Sequence, residues 1–547
     1  MKRFALLIAA MTIPAPAIAD TLIDNANGIQ VDASGKIERF SGVIIGEDGK
    51  VVRLVRSDEE AQPANITRRI DAQERTLLPG LIDAHGHVMG LGFGALQLDL
   101  TGTNSLADLQ QRLKAYAAAN PDARWIVGRG WNQELWADKR FPTAVDLDTI
   151  VSDRPVWLGR VDGHAAIANS AAMKAAGVTA ATQSPAGGRI ENGLFVDAAM
   201  GLIESKIPPP TIAQREQALA KAQELMLSVG LTGAADMGTS TEDWKVMQRA
   251  AETGQLRARI MAYAAGVEAM PGKPTPWIAG DLLRMGGVKV YADGALGSRG
   301  AWLKQPYADK PDTRGLQFLT NAQLRDQVGR AAAAGFQVAI HAIGDAAIAQ
   351  AIGAFEDLAR THRGDRRWRI EHVQVVDLVD IPRIAKAGII ASMQPTHQTS
   401  DDNMAEARLG PARLKGAYAW RTIAATGAHL AFGSDFPVES PNPFPGLAAA
   451  VSRQDPAGQP QGGWRPEERV TLDQALAGFT REAAYAGFAE DRLGSLDPGK
   501  WADFILVDRD ISTASPTDIA ATQVLETWVA GKKVWERSAS APAERGK

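Results

Sequence analysis

Two histidines stand two positions apart at the end of a short apolar run, Leu81-Ile82-Asp83-Ala84-His85-Gly86-His87. Pro79-Gly80 punctuates the chain just before it, so the run reads as a buried strand. On a strand, positions i and i+2 face the same side, which aims both imidazoles one way. Gly86 between them adds no side chain, so the backbone can pass close to whatever the rings hold. Neutral imidazole is a favoured ligand for zinc and its neighbours, and the pair has the form of half a divalent-metal site. His-X-His alone is a weak signal; its meaning depends on residues of the same chemistry downstream.

The elements that would position such residues are legible. Apolar runs at 81–87, 231–236, 258–264, 287–292, 336–341, 369–372, 389–394 and 430–435 alternate with alanine-rich, helix-like stretches. Eight strands alternating with helices predict a parallel sheet closed into a (β/α)8 TIM-like barrel, whose chemistry sits at the C-terminal ends of its strands. Those ends carry His85 and His87 on the first strand, Lys289 on the fourth, His341 on the fifth, His372 on the sixth and Asp435 on the eighth. Each is of metal-ligand or base type. Four of the chain's 8 histidines fall there, which a random scatter would seldom produce. The long gap after the first strand predicts a large insertion, about 95–225, placed at the catalytic mouth.

The flanks read differently. Runs at 28–32, 42–46 and 50–55, and again at 502–507, 524–529 and 531–535, are short, β-branched and bounded by turn dipeptides. They predict a small β-sandwich built from both termini, 20–78 and 491–536, flanking the barrel with its insertion at 79–490. Residues 537–547 are expected to be a disordered tail. Met1-Lys2-Arg3, an apolar run from Phe4 and Ala17-Ile18-Ala19 before Asp20 have the three parts of a signal peptide, 1–19. The expected product is exported, periplasmic or secreted. The apolar run is short and broken by Pro14 and Pro16, so no membrane anchor is expected after cleavage. Loss of Lys2 and Arg3 takes the formal charge from −4 to −6, which offers no electrostatic case for nucleic acid. The chain has 0 cysteines, so thiol catalysis, disulfides and thiolate metal sites are excluded. A small-molecule substrate is the expected partner, with a homodimer left open.

Outside the strand ends, several residues are candidate substrate contacts. His164, in Asp162-Gly163-His164, reads as a substrate-side or lid residue, or as structural. His397 lies just past the seventh strand and could face the pocket. Asp293 and Arg299 follow the fourth strand, where Arg299 could bind a substrate carboxylate or simply shape the loop through an ion pair. Trp131 and Trp136 could wall an apolar pocket or fill a core. His362 and His429 read as solvated or structural.

The sequence also resembles the amidohydrolase superfamily, in its amidohydrolase 3 branch that includes N-substituted formamide deformylases. The resemblance rests on Pro79 to His87, on Gly128-Arg129-Gly130-Trp131-Asn132-Gln133, and on Arg160-Val161-Asp162-Gly163-His164. It continues through Lys289-Val290-Tyr291-Ala292-Asp293-Gly294, His341-Ala342-Ile343-Gly344-Asp345, Arg369-Ile370-Glu371-His372, Gln394-Pro395-Thr396-His397 and Gly433-Ser434-Asp435. Asn132 stands where the family pattern has aspartate, which touches only a substrate contact, as Gln133 beside it would be. The resemblance implies one or two divalent ions, Zn2+ in first place. His85, His87 and Asp435 would hold one ion, and His341 and His372 a second. Lys289, desolvated beside them, would become an N6-carboxylysine. It further implies hydrolysis of an amide, formamide or cyclic amide C–N bond by metal-activated water, the water's pKa falling from near 16 to about 7. Asp435 would be the catalytic base. Ester or lactone hydrolysis, deamination on the same site, and a non-catalytic secreted metal- or ligand-binding protein are the competing readings.

Overall fold

Eight parallel strands surround the centre of the molecule, in a computed structural model that describes residues 20–56, 66–185 and 187–538. The expected signal peptide and residues 539–547 of the expected tail lie outside the described residues. The strands are β1 (Leu81–Gly86), β2 (Leu231–Thr239), β3 (Arg259–Ala265), β4 (Leu283–Tyr291), β5 (Gln337–Ala342), β6 (Arg369–His372), β7 (Ile390–Met393) and β8 (Leu430–Phe432), each paired with the next. All eight predicted runs are strands. The last is shorter than expected: β8 stops at Phe432, and the following loop returns to β1. There the Asp435 N–H donates to the His85 carbonyl and the His87 N–H to the Phe436 carbonyl, each at 2.7 Å, closing the ring. Gly433 permits that approach, since a Cβ there would lie 2.4 Å from Asp83 Oδ1 and 2.6 Å from the His85 nitrogen.

Alternation along the strands decides which residues face inward. Val288 and Val290 on β4, Ile340 and Ala342 on β5, and Ile370 on β6 point outward into the layer between strands and helices. Their neighbours Lys289, His341, Arg369 and Glu371 therefore point in. A separate apolar cluster, including Met237, Met261, Tyr263, Ala339 and Ala431, fills the barrel interior and is floored by Ala483 and Ala484. The outer helices match their hydrophobic spacing. Asn321–Ala333 starts at a capping box of Thr320 and Gln323 and buries Leu324, Val328, Ala331 and Ala332 along one stripe.

The insertion forms a six-stranded sheet from strands at Leu98–Asp99, Ile126–Trp131, Val156–Arg160, Ala165–Ala168, Gly188–Glu191 and Leu194–Asp197. Helix Ile212–Ser228 falls inside the expected 95–225 span but shares the barrel's core, with Ala218 and Ala222 beside Met89, Leu91 and Leu231. Its pattern is that of an ordinary barrel helix, so the added sheet ends before it.

The two chain ends build one sandwich. Thr76–Pro79 pairs antiparallel with Phe504–Val507, which joins N- and C-terminal strands in a six-stranded sheet. A four-stranded sheet of Val51–Val55, Gly42–Ile45, Asp20–Asp24 and Ile66–Asp71 completes the sandwich over Ile23, Val43, Leu77, Phe504 and Trp528. Buried Arg259, at the start of β3, ties the sandwich to the barrel through Asp503, Nε to Oδ2 at 2.5 Å and Nη2 to Oδ1 at 2.8 Å.

Candidate metal centre and active-site cavity

The C-terminal rim of the barrel gathers the six ligand-type residues. Lys289 Nζ lies 3.1 Å from His85 Nε2. Asp435 Oδ1 lies 3.0 Å from His87 Nε2 and 3.4 Å from His85 Nε2. The His372 ring sits 4.7 Å from that of His85 and 4.6 Å from that of His341, centroid to centroid. Ligand atoms of His85, His372 and Asp435 all fall within 4.8 Å of one another. Two of these residues are turned into place by left-handed backbone, His372 at φ +78° and Asp435 at φ +60°, a conformation that His and Asp tolerate better than most residues.

The donor set fits a divalent ion. Asp435 Oδ1 and His341 Nε2 are buried with no hydrogen-bond partner among the described residues, although charged or polar atoms stand close by. Such orphaned acceptors are costly unless something else satisfies them. Burial, and then the charge of Lys289, pulls His85 below its ordinary pKa. His341 and His372 are pulled well below theirs, again with burial as the leading cause. All three imidazoles are thus in the neutral, ligating form at neutral pH. Burial alone would raise Asp435, but the neighbouring imidazoles, His85 first, outweigh it and hold the carboxylate well below its usual range. Burial brings the Lys289 ammonium down to about 8. No carboxylate pairs with it among the described residues.

Residues behind the ligands aim them. His85 Nδ1 meets Glu371 Oε2 at 2.6 Å, which leaves Nε2 for the centre. Glu371 is itself gripped by Arg369, at 2.8 Å through Nε and 3.1 Å through Nη2. Arg369 also donates to the Ala84 carbonyl, Ser392 Oγ and Tyr263 Oη. His372 Nδ1 meets Gln394 Oε1 at 2.8 Å. A carboxylate or amide behind a ligating histidine fixes its tautomer and orientation. Sequence reasoning gave neither Glu371 nor Gln394 a role. The available signal was Arg369-Ile370-Glu371, which places opposite charges on the inward face directly before a ligand.

The centre opens into a cavity of about 530 Å3. Its walls include His87, Lys289, His341, His372 and Asp435, Tyr291 of β4, Met89 and Phe93 of helix Val88–Leu96, and Arg129, Asp162 and His164 of the insertion. His164 therefore stands at the cavity, its ring 5.8 Å from that of His341 and its Nδ1 2.8 Å from Asp197 Oδ1. Burial would lower its pKa, but Asp197 and Asp162 outweigh burial and raise it. His397 stands behind the ligands, stacked 5.8 Å from His372 with Nε2 3.7 Å from Asp435 Oδ2.

Five of the candidate substrate contacts are placed elsewhere. Trp131 and Trp136 fill the core of the inserted sheet, their indole N–H groups donating to the Leu158 and Thr103 carbonyls. Gln133 is buried within the insertion, accepting from Arg160 Nε at 2.8 Å. Asp293 is fully buried, and its carboxylate accepts the backbone N–H groups of Trp302, Ile343 and Gly344; it anchors the loops above β4 and β5. Arg299 is paired with Asp309 at 2.8 Å and is absent from the cavity wall, so the loop-shaping reading holds.

A closed parallel barrel with histidines, a lysine and an aspartate converging at its C-terminal rim defines the class, a metal-dependent hydrolase. Residues 68–535 match the profile of the amidohydrolase family, and the chain belongs to it. It is 32% identical to Protein LONG AFTER FAR-RED 3 of Arabidopsis thaliana, over 96% of this chain and 93% of that protein. It is 27% identical to the N-substituted formamide deformylase of Arthrobacter pascens, over 95% of this chain and 99% of that enzyme. Among solved structures it resembles an uncharacterized metal-dependent hydrolase from Pyrococcus horikoshii OT3, with TM-score 0.75 and 26% identity over 91% of this chain and 99% of the other.

Proposed function

We propose that the protein hydrolyses a C–N bond in a small amide, formamide or cyclic amide, with Asp435 as the base. The observation that carries this reading is the buried, anionic Asp435, whose Oδ1 has no hydrogen-bond partner among the described residues and faces the cavity beside His85 and His87. One or two divalent ions would be held by His85, His87, His341, His372 and Asp435 and, when bound, would supply Lewis acidity that polarises the scissile carbonyl and acidifies water. Zn2+ is the ion proposed, since an imidazole-rich, thiol-free site with carboxylate suits it. Asp435 takes the proton of the attacking water and returns it to the departing nitrogen, without which an amine is a poor leaving group. Glu371 and Gln394 keep two imidazoles in the correct tautomer. The chain's likeness to a formamide deformylase supports the choice of bond.

Lys289 is proposed to be carboxylated. A buried ammonium with no ion-pair partner among the described residues, 3.1 Å from an imidazole nitrogen, is poorly placed as a cation. In its neutral form the Nζ lone pair adds carbon dioxide and releases one proton, leaving an anionic carbamate with two donor oxygens.

The test is a screen of the metal-loaded protein against N-formyl amines, N-acyl amino acids, cyclic amides and matched esters, with amine release as the readout for the amides and acid release for the esters. Asp435→Asn keeps the shape but cannot serve as the base, so kcat should fall by about 10²- to 10⁴-fold on any amide found. Undiminished turnover by the variant would exclude Asp435 as the base. Ester cleavage without any amide cleavage would exclude the proposed bond.

A further inference from the structure

Besides Lys289, one more cation on the cavity wall makes no direct ion pair among the described residues. Arg129 lines the cavity from the end of strand Ile126–Trp131. Its Nη2 donates to the Val161 carbonyl at 2.8 Å, the only hydrogen bond its side chain makes among the described residues. A guanidinium has five N–H donors, so most of its capacity is unspent. Of the carboxylates on the same wall, Asp435 belongs to the metal centre and acts on Arg129 only through space, without an ion pair; the other three are engaged elsewhere. Asp162 accepts from Arg160 Nη1 at 2.5 Å and from the His164 N–H at 3.1 Å. Asp236 accepts from the Val88 N–H at 2.7 Å and Thr239 Oγ1 at 2.5 Å. Asp243 is held by Arg215 and Ser240.

The placement of Arg129 is built into the strand. Ile126 and Trp131 share one core although they stand five positions apart, an odd spacing that regular alternation sends to opposite faces. A bulge between Arg129 and Trp131 resolves this, turning Trp131 into the core and leaving Arg129 on the cavity side. Gly130 makes the bulge possible: its φ is +106°, and a Cβ there would lie 2.6 Å from Thr101 Oγ1. The same cavity wall also carries apolar Met89, Phe93, Pro437 and Val438. A partly desolvated guanidinium without a partner is costly for the empty protein, and a planar anion is the ligand that its fork matches.

We propose that Arg129 binds a carboxylate of the substrate, making the preferred substrates N-acyl amino acids with apolar side chains. This rests on the C–N hydrolase reading above. One N-acyl amino acid and one water give one carboxylate and one free amino acid. Water's oxygen joins the acyl carbon, the C–N bond breaks with its electron pair left on nitrogen, and both of water's protons end on that nitrogen as the ammonium of the released amino acid. Arg129 holds the unreacting carboxylate and is a specificity residue.

Calorimetric binding to the metal-loaded Asp435→Asn variant tests this without turnover. The probes are N-acetylphenylalanine, both enantiomers, and N-acetylphenethylamine, which lacks only the carboxylate. At least one enantiomer should bind at least about tenfold tighter than the neutral probe. Adding Arg129→Gln should bring that ratio to about one by weakening the acid alone, and Arg129→Lys, which keeps charge but loses the fork, should fall between. If Arg129→Gln does not fold, the Lys variant decides, with an undiminished ratio counting against the proposal. The proposal is overturned if the starting ratio is near one, if it survives Arg129→Gln, or if neither probe binds. Arg129-dependent binding with no amine release by the unsubstituted enzyme would sink the hydrolase reading and leave the carboxylate site standing. Hydrolysis of neutral formamides with no preference for the acid would do the reverse.

Discussion

Glu371 joins the stability of the barrel to the loading of its metal, and Glu371→Gln should expose both. The carboxylate is fully buried, 2.6 Å from His85 Nδ1 and bidentate to the equally buried Arg369. Burial would raise its pKa, but Arg369 and then His85 outweigh it and hold Glu371 far below the usual carboxylate range. The amide keeps the volume and can still accept from one donor, but leaves the Arg369 charge uncompensated in the interior. Breaking a buried pair on one side costs about 3–5 kcal/mol, against a total stability of about 5–15 kcal/mol. Loss of the partner behind a ligating histidine costs a further factor of about 10 to 100 in metal affinity. Denaturant unfolding of the metal-free protein reads the first effect, and competition with a chelator reads the second. Arg369→Met in the Glu371→Gln background separates them. Removing the stranded charge should restore part of the stability, while metal affinity stays about 10- to 100-fold low because His85 still lacks its carboxylate. If affinity returns together with stability, Glu371 only holds the barrel together and does not aim His85. An unchanged Glu371→Gln variant would remove the argument entirely.

Two other outcomes follow from the proposals. Incubation of metal-free protein with ¹³C-bicarbonate should give a carbamate signal that Lys289→Met abolishes. The signal should grow as pH rises through about 8, because burial lowers the folded-state pKa from 10.5 to about 8 and the nucleophilic neutral amine appears only above it; a signal that falls over that range would refute the assignment. Export with cleavage after Ala19 should yield a chain whose mass begins at Asp20, and recovery of the Met1 form from the cytoplasm would contradict it.

The ligands were readable because a parallel barrel converts sequence position into place: the C-terminal ends of strands converge, so polar residues ending apolar runs mark the centre. Lys289 and His341 stand between outward-facing Val and Ile residues, and period-two alternation alone points them inward. The substrate-contact alternatives failed where alternation breaks or a loop supplies its own partners. Trp131 was a candidate wall residue because the insertion that carries it was expected at the mouth, but the bulge at Gly130 turns it into the core and leaves Arg129 on the wall. Asp293 and Arg299 do lie above β4, yet three backbone N–H groups consume the first and Asp309 the second. Partners of that kind are set by loop geometry, which no spacing rule encodes. Glu371 was hidden for another reason: an inward carboxylate reads the same whether it meets substrate, metal or an arginine across the barrel.

The charges at the rim also imply an order of assembly. Without metal, the ligand shell holds the neutral imidazoles of His85, His341 and His372, one anion at Asp435 and one buried cation at Lys289, whose Nζ sits 3.1 Å from a ligand nitrogen. A dication entering that space meets the ammonium at close range, and between charges about 4 Å apart the repulsion at an effective dielectric of about 20 is about 8 kcal/mol, twice the value for two unit charges. Deprotonation removes this term, and the proposed carboxylation reverses its sign, because the side chain then carries a negative charge where it carried a positive one. Carboxylation and metal uptake are therefore coupled on this reading: each favours the other, and each is weak alone. That reciprocity is a linkage and must appear from both sides. Bicarbonate should tighten metal binding, metal should raise carbamate occupancy, and the two factors should be equal. Lys289→Met should abolish both effects while leaving an intact barrel, since a methionine fits the apolar stem and removes only the charge. Metal affinity that ignores bicarbonate in the parent protein would show that Lys289 takes no part in the centre.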